Sequence, residues 1–259
     1  MIIADIKGRD LDALPRAVAE HEKIDELVCS YNRIRLLPPL PKLTKLLCDR
    51  NRLTELPEFE KLTSLSCAHN LLTKLPEFES LIELGCDHNQ LTELPELPGL
   101  TALSCAHNLL TKLPEFEELT TLLCENNRLT EFPEFPELDY LYCDDNQLTG
   151  LPKLEKLVYL YCSDNQLTKL PEFKKLRSLH CSNNQLTELP EFPELTALSC
   201  KNNLLEWIPY YPKLTTIDLT GCPVAAMMED PMSVAEYHRL WKSHEESRKK
   251  SARSTGGRS

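Results

Sequence analysis

Glycine is scarce in this sequence, with only 7 examples among 259 residues, and none forms the Gly-rich loop that binds phosphate groups. Long apolar runs are missing as well, so the sequence predicts no transmembrane segment. Charged residues at positions 5, 7, 9 and 10 interrupt any apolar core of a secretion signal, which predicts that the protein is not exported by that route. No Ser, His and acidic residues form a recognisable catalytic set. The sequence therefore predicts neither an enzyme nor a bound cofactor.

Basic residues are too few to balance the acidic ones: 29 Lys and Arg face 40 Asp and Glu, which gives a net charge of -11. The final twelve residues contain five basic and no acidic residues, so the preceding 247 residues carry a net charge of about -16. We expect no nucleic-acid binding by this acidic part, because phosphate contacts need clustered Lys and Arg. The basic tail is a candidate contact for an acidic surface, or simply a solvated chain end.

Cysteine is abundant, but its arrangement does not suggest a disulfide framework. The 11 cysteines are an odd number, and no C-x-x-C pair occurs. Together with the missing secretion signal, this favours an intracellular, reducing compartment: the cytoplasm, with the nucleus or a virion as further options. A fixed period of about 20 residues indicates a solenoid. Ten cysteines follow such a period, recurring every 19 residues with an Asn three positions after each: Cys29, Cys48, Cys67, Cys86, Cys105, Cys124, Cys143, Cys162, Cys181 and Cys200.

The repeating unit reads L-T-x-L-x-C-x-x-N-x-L-T-x-L-P-E-F-x-x, and residues 119–137 give a clear copy. Within this copy, Leu122 and Cys124 alternate with Leu123, which predicts a short strand with the first two side chains pointing inward. Repetition stacks these strands into a parallel sheet with a spacing of about 4.8 Å. The Pro of the L-P step fixes φ and removes a backbone donor. The opposite side is therefore predicted to be extended or polyproline-like rather than helical.

The segment L-x-x-L-x-C-x-x-N-x-L resembles the leucine-rich repeat, with cysteine at the third apolar position. Its L-P-E-F/L half is similar to the short leucine-rich repeats of bacterial effector proteins, and the whole unit resembles arrays encoded by giant DNA viruses. The resemblance covers roughly residues 2–222. It implies a leucine-rich-repeat solenoid of about eleven coils with a concave parallel β-sheet and an extended convex side, and it says much less about function.

The ends of the chain depart from the repeat, as the caps of a solenoid do. Residues 1–23 are predicted to form an N-terminal cap with a degenerate repeat, and residues 24–222 the solenoid itself. In the last coil, Cys222 takes the register position of the repeated Asn. Residues 223–250 are predicted as a C-terminal cap whose amphipathic helix, starting near residue 233, covers the open sheet edge. Residues 251–259 are predicted to be a disordered basic tail.

The repeated polar positions have structural interpretations. Inward Asn side chains are expected to join neighbouring coils through hydrogen bonds to buried backbone groups. The cysteines are interpreted as small packing residues, because side chains on parallel strands neither converge on a metal nor approach closely enough for a disulfide. His69, His88 and His107 share one repeat position. They form either a metal-binding or pH-sensitive column or a by-product of repeat duplication, which two nearly identical copies favour.

Two adjacent repeats carry tyrosines where most repeats have small outward residues, and they are the strongest candidate for a binding site. Tyrosine is enriched at binding hot spots because it combines a large contact area with a polar tip. The alternative is that these tyrosines only stabilise the sheet through cross-strand contacts. The candidate partner-binding residues are Tyr140, Tyr142, Tyr159, Tyr161, Asp144, Asp145, Asp164, Arg177 and His180.

A second candidate surface is a row of glutamates that follow the repeated proline. It is interpreted as a solvated face, with an acidic docking strip for a basic partner as the alternative. We call it the glutamate row, and it consists of Glu58, Glu77, Glu96, Glu115, Glu134, Glu172 and Glu191.

The sequence as a whole predicts a protein–protein interaction module, acting as an adaptor, scaffold or intracellular effector, that binds an unidentified protein through the concave sheet. One alternative is a structural component of a larger assembly such as a giant-virus particle. A less favoured alternative is an enzyme of unrecognised type. No catalytic residue and no metal site is predicted.

Overall fold

Twelve short strands form one sheet in which the order of the strands follows the chain. The structure is a computed structural model that describes residues 1–255, with side chains described as far as residue 247. Neighbouring strands are parallel throughout, which confirms the predicted solenoid with a parallel sheet. The strands are β1 Ile3–Asp5, β2 Glu26–Val28, β3 Lys45–Leu47, β4 Ser64–Ser66, β5 Glu83–Gly85, β6 Ala102–Ser104, β7 Thr121–Leu123, β8 Tyr140–Tyr142, β9 Tyr159–Tyr161, β10 Ser178–His180, β11 Ala197–Ser199 and β12 Thr216–Asp218.

The pairing register reproduces the repeat period of the sequence. From β2 to β12 each strand residue pairs with the residue 19 positions later, as Leu122 does with Leu141. Between β1 and β2 the offset is 23 residues, because Ala4 pairs with Leu27. The segment that connects these two strands contains the short helix α1, Arg16–Ala19. Four inserted residues therefore lengthen the first coil without disturbing the sheet.

The inward side chains fill one continuous core along the solenoid. The central leucine of each strand from β2 to β11 is buried, as is the cysteine that follows the strand. On the convex side, Phe116 stacks on Phe135 with ring centroids 6.2 Å apart, and Phe173 stacks on Phe192 at the same distance. Each coil thus buries its apolar residues against the next coil rather than within itself, as expected for a repeat protein.

The convex side contains no helix between β2 and β12, a part of the chain that the structure describes completely. The residues around each L-P step belong to no regular element, in agreement with the predicted extended convex side. A helical connection between two parallel strands needs about 10 or more residues. A 19-residue repeat with a Pro in its second half leaves no room for such a helix. The absence of convex helices keeps the coils short.

The C-terminal end of the sheet is covered by a 3-10 helix, Pro223–Met227, and by helix α2, Val234–Thr255. Tyr237 of α2 is buried, and its hydroxyl donates to the carbonyl of Pro209 at 2.5 Å. The same hydroxyl accepts a hydrogen bond from the backbone N–H of Tyr211 at 2.9 Å. Trp241 packs on Tyr210 with ring centroids 4.6 Å apart. These contacts attach α2 to the last coil, as an edge-covering helix requires.

Helix α2 extends further than the sequence analysis predicts. Residues 251–255 are helical, whereas the sequence predicts a disordered tail there, and the remaining tail residues 256–259 lie outside the described residues. Lys249, Lys250, Ala252 and Arg253 have favourable helix propensities, and the first strong helix breaker, Gly256, comes only afterwards. Among the described residues, every helix is too short or too polar to span a membrane.

Candidate functional site

The concave surface is built from the first and third residues of each strand. Because side chains alternate across a strand, the central leucine points into the core and its two neighbours point outward. In β4 these neighbours are Ser64 and Ser66, and in β6 they are Ala102 and Ser104. In β8 and β9 they are tyrosines, as the sequence analysis predicts. Parallel pairing places equivalent residues side by side, so the concave face consists of straight columns of side chains.

The four tyrosines form two stacked pairs on this surface, which we call the tyrosine patch. The rings of Tyr140 and Tyr159 stack with centroids 4.9 Å apart and planes inclined by 6°. Those of Tyr142 and Tyr161 stack at 4.4 Å with planes inclined by 5°. His180 of β10 continues the second column, since its ring lies 4.4 Å from that of Tyr161. Stacking at these distances holds the rings in fixed orientations.

The side chains of the tyrosine patch are partly buried, and their neighbours are aromatic rings. Burial raises the pKa of Tyr142, with a contribution from the neighbouring Tyr161. Burial also lowers the pKa of His180, so that imidazole is neutral at pH 7. Tyr140 is the most accessible of the four tyrosines, with 41% of its surface exposed. The patch is therefore partly accessible, and Tyr140 is the ring most open to contact.

Arg177 lies on the strand-entry side of the patch. It borders a recess of about 400 Å³ together with Tyr140 and Tyr159. Within the described residues its exposed guanidinium makes no ion pair or hydrogen bond, and its backbone carbonyl accepts from Thr196 Oγ1 at 2.9 Å. The structure thus brings Arg177 to the tyrosines, as the sequence analysis expects.

The predicted acidic residues lie on the strand-exit side of the patch. Asp144 is half-buried and accepts a hydrogen bond from the backbone N–H of Ser163 at 2.7 Å. Burial raises the pKa of Asp144. Asp164 is exposed and accepts from Asn183 Nδ2 at 2.9 Å. Asp145 is exposed and accepts from Asn126 Nδ2 at 3.5 Å. These three carboxylates lie beside the rings, opposite Arg177.

Sequence reasoning missed Glu125, which occupies the same repeat position as Asp144, one coil earlier. Burial raises the pKa of Glu125, and the nearby charges of Asp144 and Asp87 act in the same direction. Its Oε2 atom is buried and has no hydrogen-bond partner among the described residues. The available signal was the position directly after the repeated cysteine, where several coils carry an acid. We call Glu125, Asp144, Asp145 and Asp164 the acidic ledge from here on.

The second position after each of the ten repeated cysteines has left-handed backbone geometry. The φ angles there run from 50° at Asn202 to 61° at Tyr31 without a single glycine. Asn, Asp and His tolerate this region better than other non-glycine residues. This requirement accounts for much of the residue choice at the position, including His69, His88 and His107, whose rings stack at 4.1 Å.

The histidine column is not arranged as a metal site. Stacked parallel rings do not converge on one point, and among the described residues no group of three or more potential ligands is placed to hold a metal ion. Burial and the two flanking imidazoles lower the pKa of His88. The column is therefore uncharged at its centre at pH 7.

The asparagine ladder, formed by the Asn three positions after each repeated cysteine, is confirmed as a structural device. Asn127 shows the pattern: its Nδ2 donates to the carbonyls of Cys105 and Cys124 at 3.0 and 3.1 Å. Its Oδ1 accepts from the backbone N–H of Leu110 at 3.0 Å. At the end of the ladder, Cys222 Sγ donates to the carbonyl of Cys200 at 3.0 Å, which confirms its predicted register.

All eleven cysteines are free and buried, which confirms their interpretation as packing residues. Burial is the main cause that raises the pKa of the thiols from Cys48 to Cys162. A protonated, inaccessible thiol is a poor nucleophile.

We therefore expect the native protein to resist alkylation. At pH 8, iodoacetamide should label fewer than one thiol per chain in the time in which the urea-unfolded chain incorporates eleven labels, as read by intact mass. Rapid labelling of several thiols in the folded chain would contradict the buried ladder.

The glutamate row lies on the convex side, and all seven of its members are exposed. None of them makes an ion pair within the described residues. Two of them, Glu58 and Glu77, border an open recess of about 530 Å³. The row is thus a solvated acidic face, on the side of the solenoid opposite the tyrosine patch.

Comparison with known proteins agrees with this geometry. The family model of two-copy leucine-rich repeats matches residues 155–194. YopM from Yersinia pestis, described as a leucine-rich effector protein, is 31% identical with a TM-score of 0.78, and the match covers 85% of this chain and 66% of that one. YopM from Yersinia enterocolitica is 30% identical with a TM-score of 0.69, over 80% of this chain and 52% of that one.

A third similar structure is the functional domain of InlJ from Listeria monocytogenes, which is described as including a cysteine ladder. It is 29% identical with a TM-score of 0.72, over 81% of this chain and 56% of that one. The chain spans between about half and two thirds of the length of these three structures. A search of curated proteins finds no match.

Proposed function

Since this chain is a leucine-rich-repeat protein, we propose that it is a non-catalytic interaction module that binds a partner protein through its concave sheet. Solenoids of this kind are typically interaction modules, because stacking produces an extended surface without an enclosed catalytic pocket. The similarity to YopM supports an effector-like or adaptor role. The eleven free thiols support a reducing compartment inside a cell as its place of action.

The tyrosine patch is the observation that carries this proposal. Two pairs of stacked tyrosines project from a sheet that elsewhere presents mostly small residues. Stabilisation of the sheet alone does not require them, since β4 and β6 form the same ladder with serine and alanine at these positions. Rigid aromatic side chains lose little conformational entropy on binding, which makes them efficient contact residues.

The glutamate row is the competing surface, because seven exposed and unpaired carboxylates face the opposite side. Exposed acids that are fully solvated contribute little binding energy each, whereas half-buried aromatic rings contribute more. This difference favours the concave face. The alternative role of this protein, as a structural component of a larger assembly, stays a prediction that rests on the resemblance of its repeat unit to arrays encoded by giant DNA viruses.

The proposal is tested by comparing baits in an affinity purification from the native host. The baits are the native chain, the double variant Tyr142→Ala and Tyr161→Ala, and the convex double variant Glu115→Gln and Glu134→Gln. We expect a protein that co-purifies with the native and convex baits and is lost with the tyrosine variant. A partner that is lost only with the convex variant would overturn the proposal in favour of the glutamate row.

A further inference from the structure

The centre of the concave face has a strong excess of negative charge. Five positions of each coil from β5 to β9 border this region: the residue before the strand, the two outward residues of the strand and the two residues after the cysteine. These positions include no Lys or Arg and seven carboxylates: Glu83, Asp87, Glu125, Asp139, Asp144, Asp145 and Asp164. The histidines of this region are His88 and His107, and the pKa of His88 is lowered. A positively charged partner is therefore favoured at this part of the sheet.

A trough of about 410 Å³ leads along the concave face to the tyrosine patch. Its floor carries short side chains, among them Ser66, Gly85 and Ser104, and it ends at Leu123 of β7. A Cβ added at Gly85 would meet only Ser66 Oγ at 3.7 Å and a carbonyl at 4.0 Å, so the floor is open above β5. The trough crosses five strands from β3 to β7, a length of about 19 Å, which suits five or six residues of an extended peptide.

Tyr142 lies one strand beyond the end of this trough, next to Leu123. One face of the ring stacks on Tyr161, and Leu123 pairs with Tyr142 from the other side. The second face of the ring is therefore turned toward Leu123, where the trough ends. A tyrosine ring beside a leucine side chain can contact the methylene chain and the charge of a Lys or Arg side chain.

Glu125 provides the acceptor at the same place. It follows Leu123 by two residues, its charge acts on Tyr142, and its buried Oε2 lacks a hydrogen-bond partner among the described residues. Asp144, the next carboxylate along the ledge, accepts from the backbone N–H of Ser163 at 2.7 Å, and hydrogen bonds from the Ser163 hydroxyl and from the backbone N–H of Asp144 itself also act on its pKa. Asp87 differs, because it already accepts from Ser104 Oγ at 2.6 Å and from the N–H of Ala106 at 2.9 Å. Among these carboxylates, Glu125 is thus the one with a buried oxygen that lacks a donor among the described residues.

We propose that the partner presents an extended basic segment that lies in the trough and places one Lys or Arg side chain against Tyr142, with its charge on Glu125 and Asp144. This inference rests on the proposed function and names the chemistry of the partner at the same surface. The Glu125 carboxylate is half-buried, and a guanidinium or ammonium group supplies the donor that its Oε2 atom lacks.

The test uses a phage-displayed library of random 12-residue peptides selected on the native full-length chain. We expect the enriched peptides to carry a net positive charge. A chosen peptide should lose about tenfold or more in affinity when its Lys and Arg are replaced by Gln, and a similar factor when the protein carries Glu125→Gln. Glu134→Gln on the convex side is the matched control and should leave the affinity unchanged. Fluorescence anisotropy measures each dissociation constant.

The outcomes separate this inference from the proposed function. Three results would overturn the inference that the partner presents a basic segment. They are enriched peptides without excess Lys or Arg, no enrichment of any peptide, and equal effects of Glu125→Gln and Glu134→Gln on affinity. If neutral peptides are enriched and their binding still depends on Tyr142 and Tyr161, the concave interaction module stands and only the inference fails. If binding ignores both tyrosines, the proposed function fails as well.

Discussion

Replacing Asn127 with Ala is expected to lower the free energy of unfolding by about 3–5 kcal/mol, because several buried backbone groups lose their partners at once. The side chain satisfies two carbonyls, of Cys105 and Cys124, and the backbone N–H of Leu110. Alanine cannot replace any of these bonds, and the three groups stay enclosed between coils. Equilibrium urea unfolding followed by circular dichroism measures the loss.

The exposed amide Gln147 provides the control for this experiment. It lies on the solvent side of the next coil, and Gln147→Ala should change the unfolding free energy by less than about 0.5 kcal/mol. Since each coil couples mainly to its neighbours, Asn127→Ala should also reduce the cooperativity of the urea transition. Equal destabilisation by the two substitutions would show that the asparagine ladder is not a major source of stability.

The double variant Tyr142→Ala and Tyr161→Ala is expected to weaken partner binding by more than about 2 kcal/mol, or roughly 30-fold in the dissociation constant. These two rings stack at 4.4 Å and are held between Leu123 and His180, so they meet a partner already oriented. The substitution removes both the contact area and the hydroxyls. Isothermal titration of the partner identified by affinity purification gives the change.

One further double variant and a stability measurement make this result interpretable. Tyr142→Phe with Tyr161→Phe keeps the stacked rings and should recover most of the affinity if the contact area matters more than the hydroxyls. Loss of the stack also costs about 1 kcal/mol of folding stability, so the melting temperature of each variant must be measured. An unchanged affinity in a folded double alanine variant would rule out the tyrosine patch as a hot spot.

The sequence predicts the regular part of this fold because one substitution pattern is copied through every coil. Leu122, Cys124 and Asn127 have counterparts 19 residues away on both sides, and identical environments require identical residue types. The position of Cys222 was predictable for the same reason, because register places it with Asn203 rather than Cys200. The stacked tyrosines follow from two adjacent coils with the same unusual residues.

Features that depend on a single coil or on backbone geometry are harder to predict from the sequence. Glu125 looks like any other solvated acid in the sequence, and only the structure shows its buried oxygen without a donor. The left-handed φ angle of His88 could not be predicted from the sequence, because histidine is also a common metal ligand and its type alone does not indicate the backbone geometry. The end of α2 at Thr255 differs from the predicted one, because the polar, Gly-containing tail indicates disorder whereas its Lys, Arg and Ala residues also favour helix.

The central claim is that the partner covers the tyrosine patch, and hydroxyl-radical footprinting of the complex tests it most directly. Side-chain oxidation of all exposed tyrosines is measured by mass spectrometry with and without the partner. We predict reduced oxidation of Tyr140, Tyr142, Tyr159 and Tyr161. Tyr31 and Tyr210, which are 53% and 38% exposed at other places, serve as internal controls and should keep their rates. Unchanged oxidation of the patch in a saturated complex would contradict the claim.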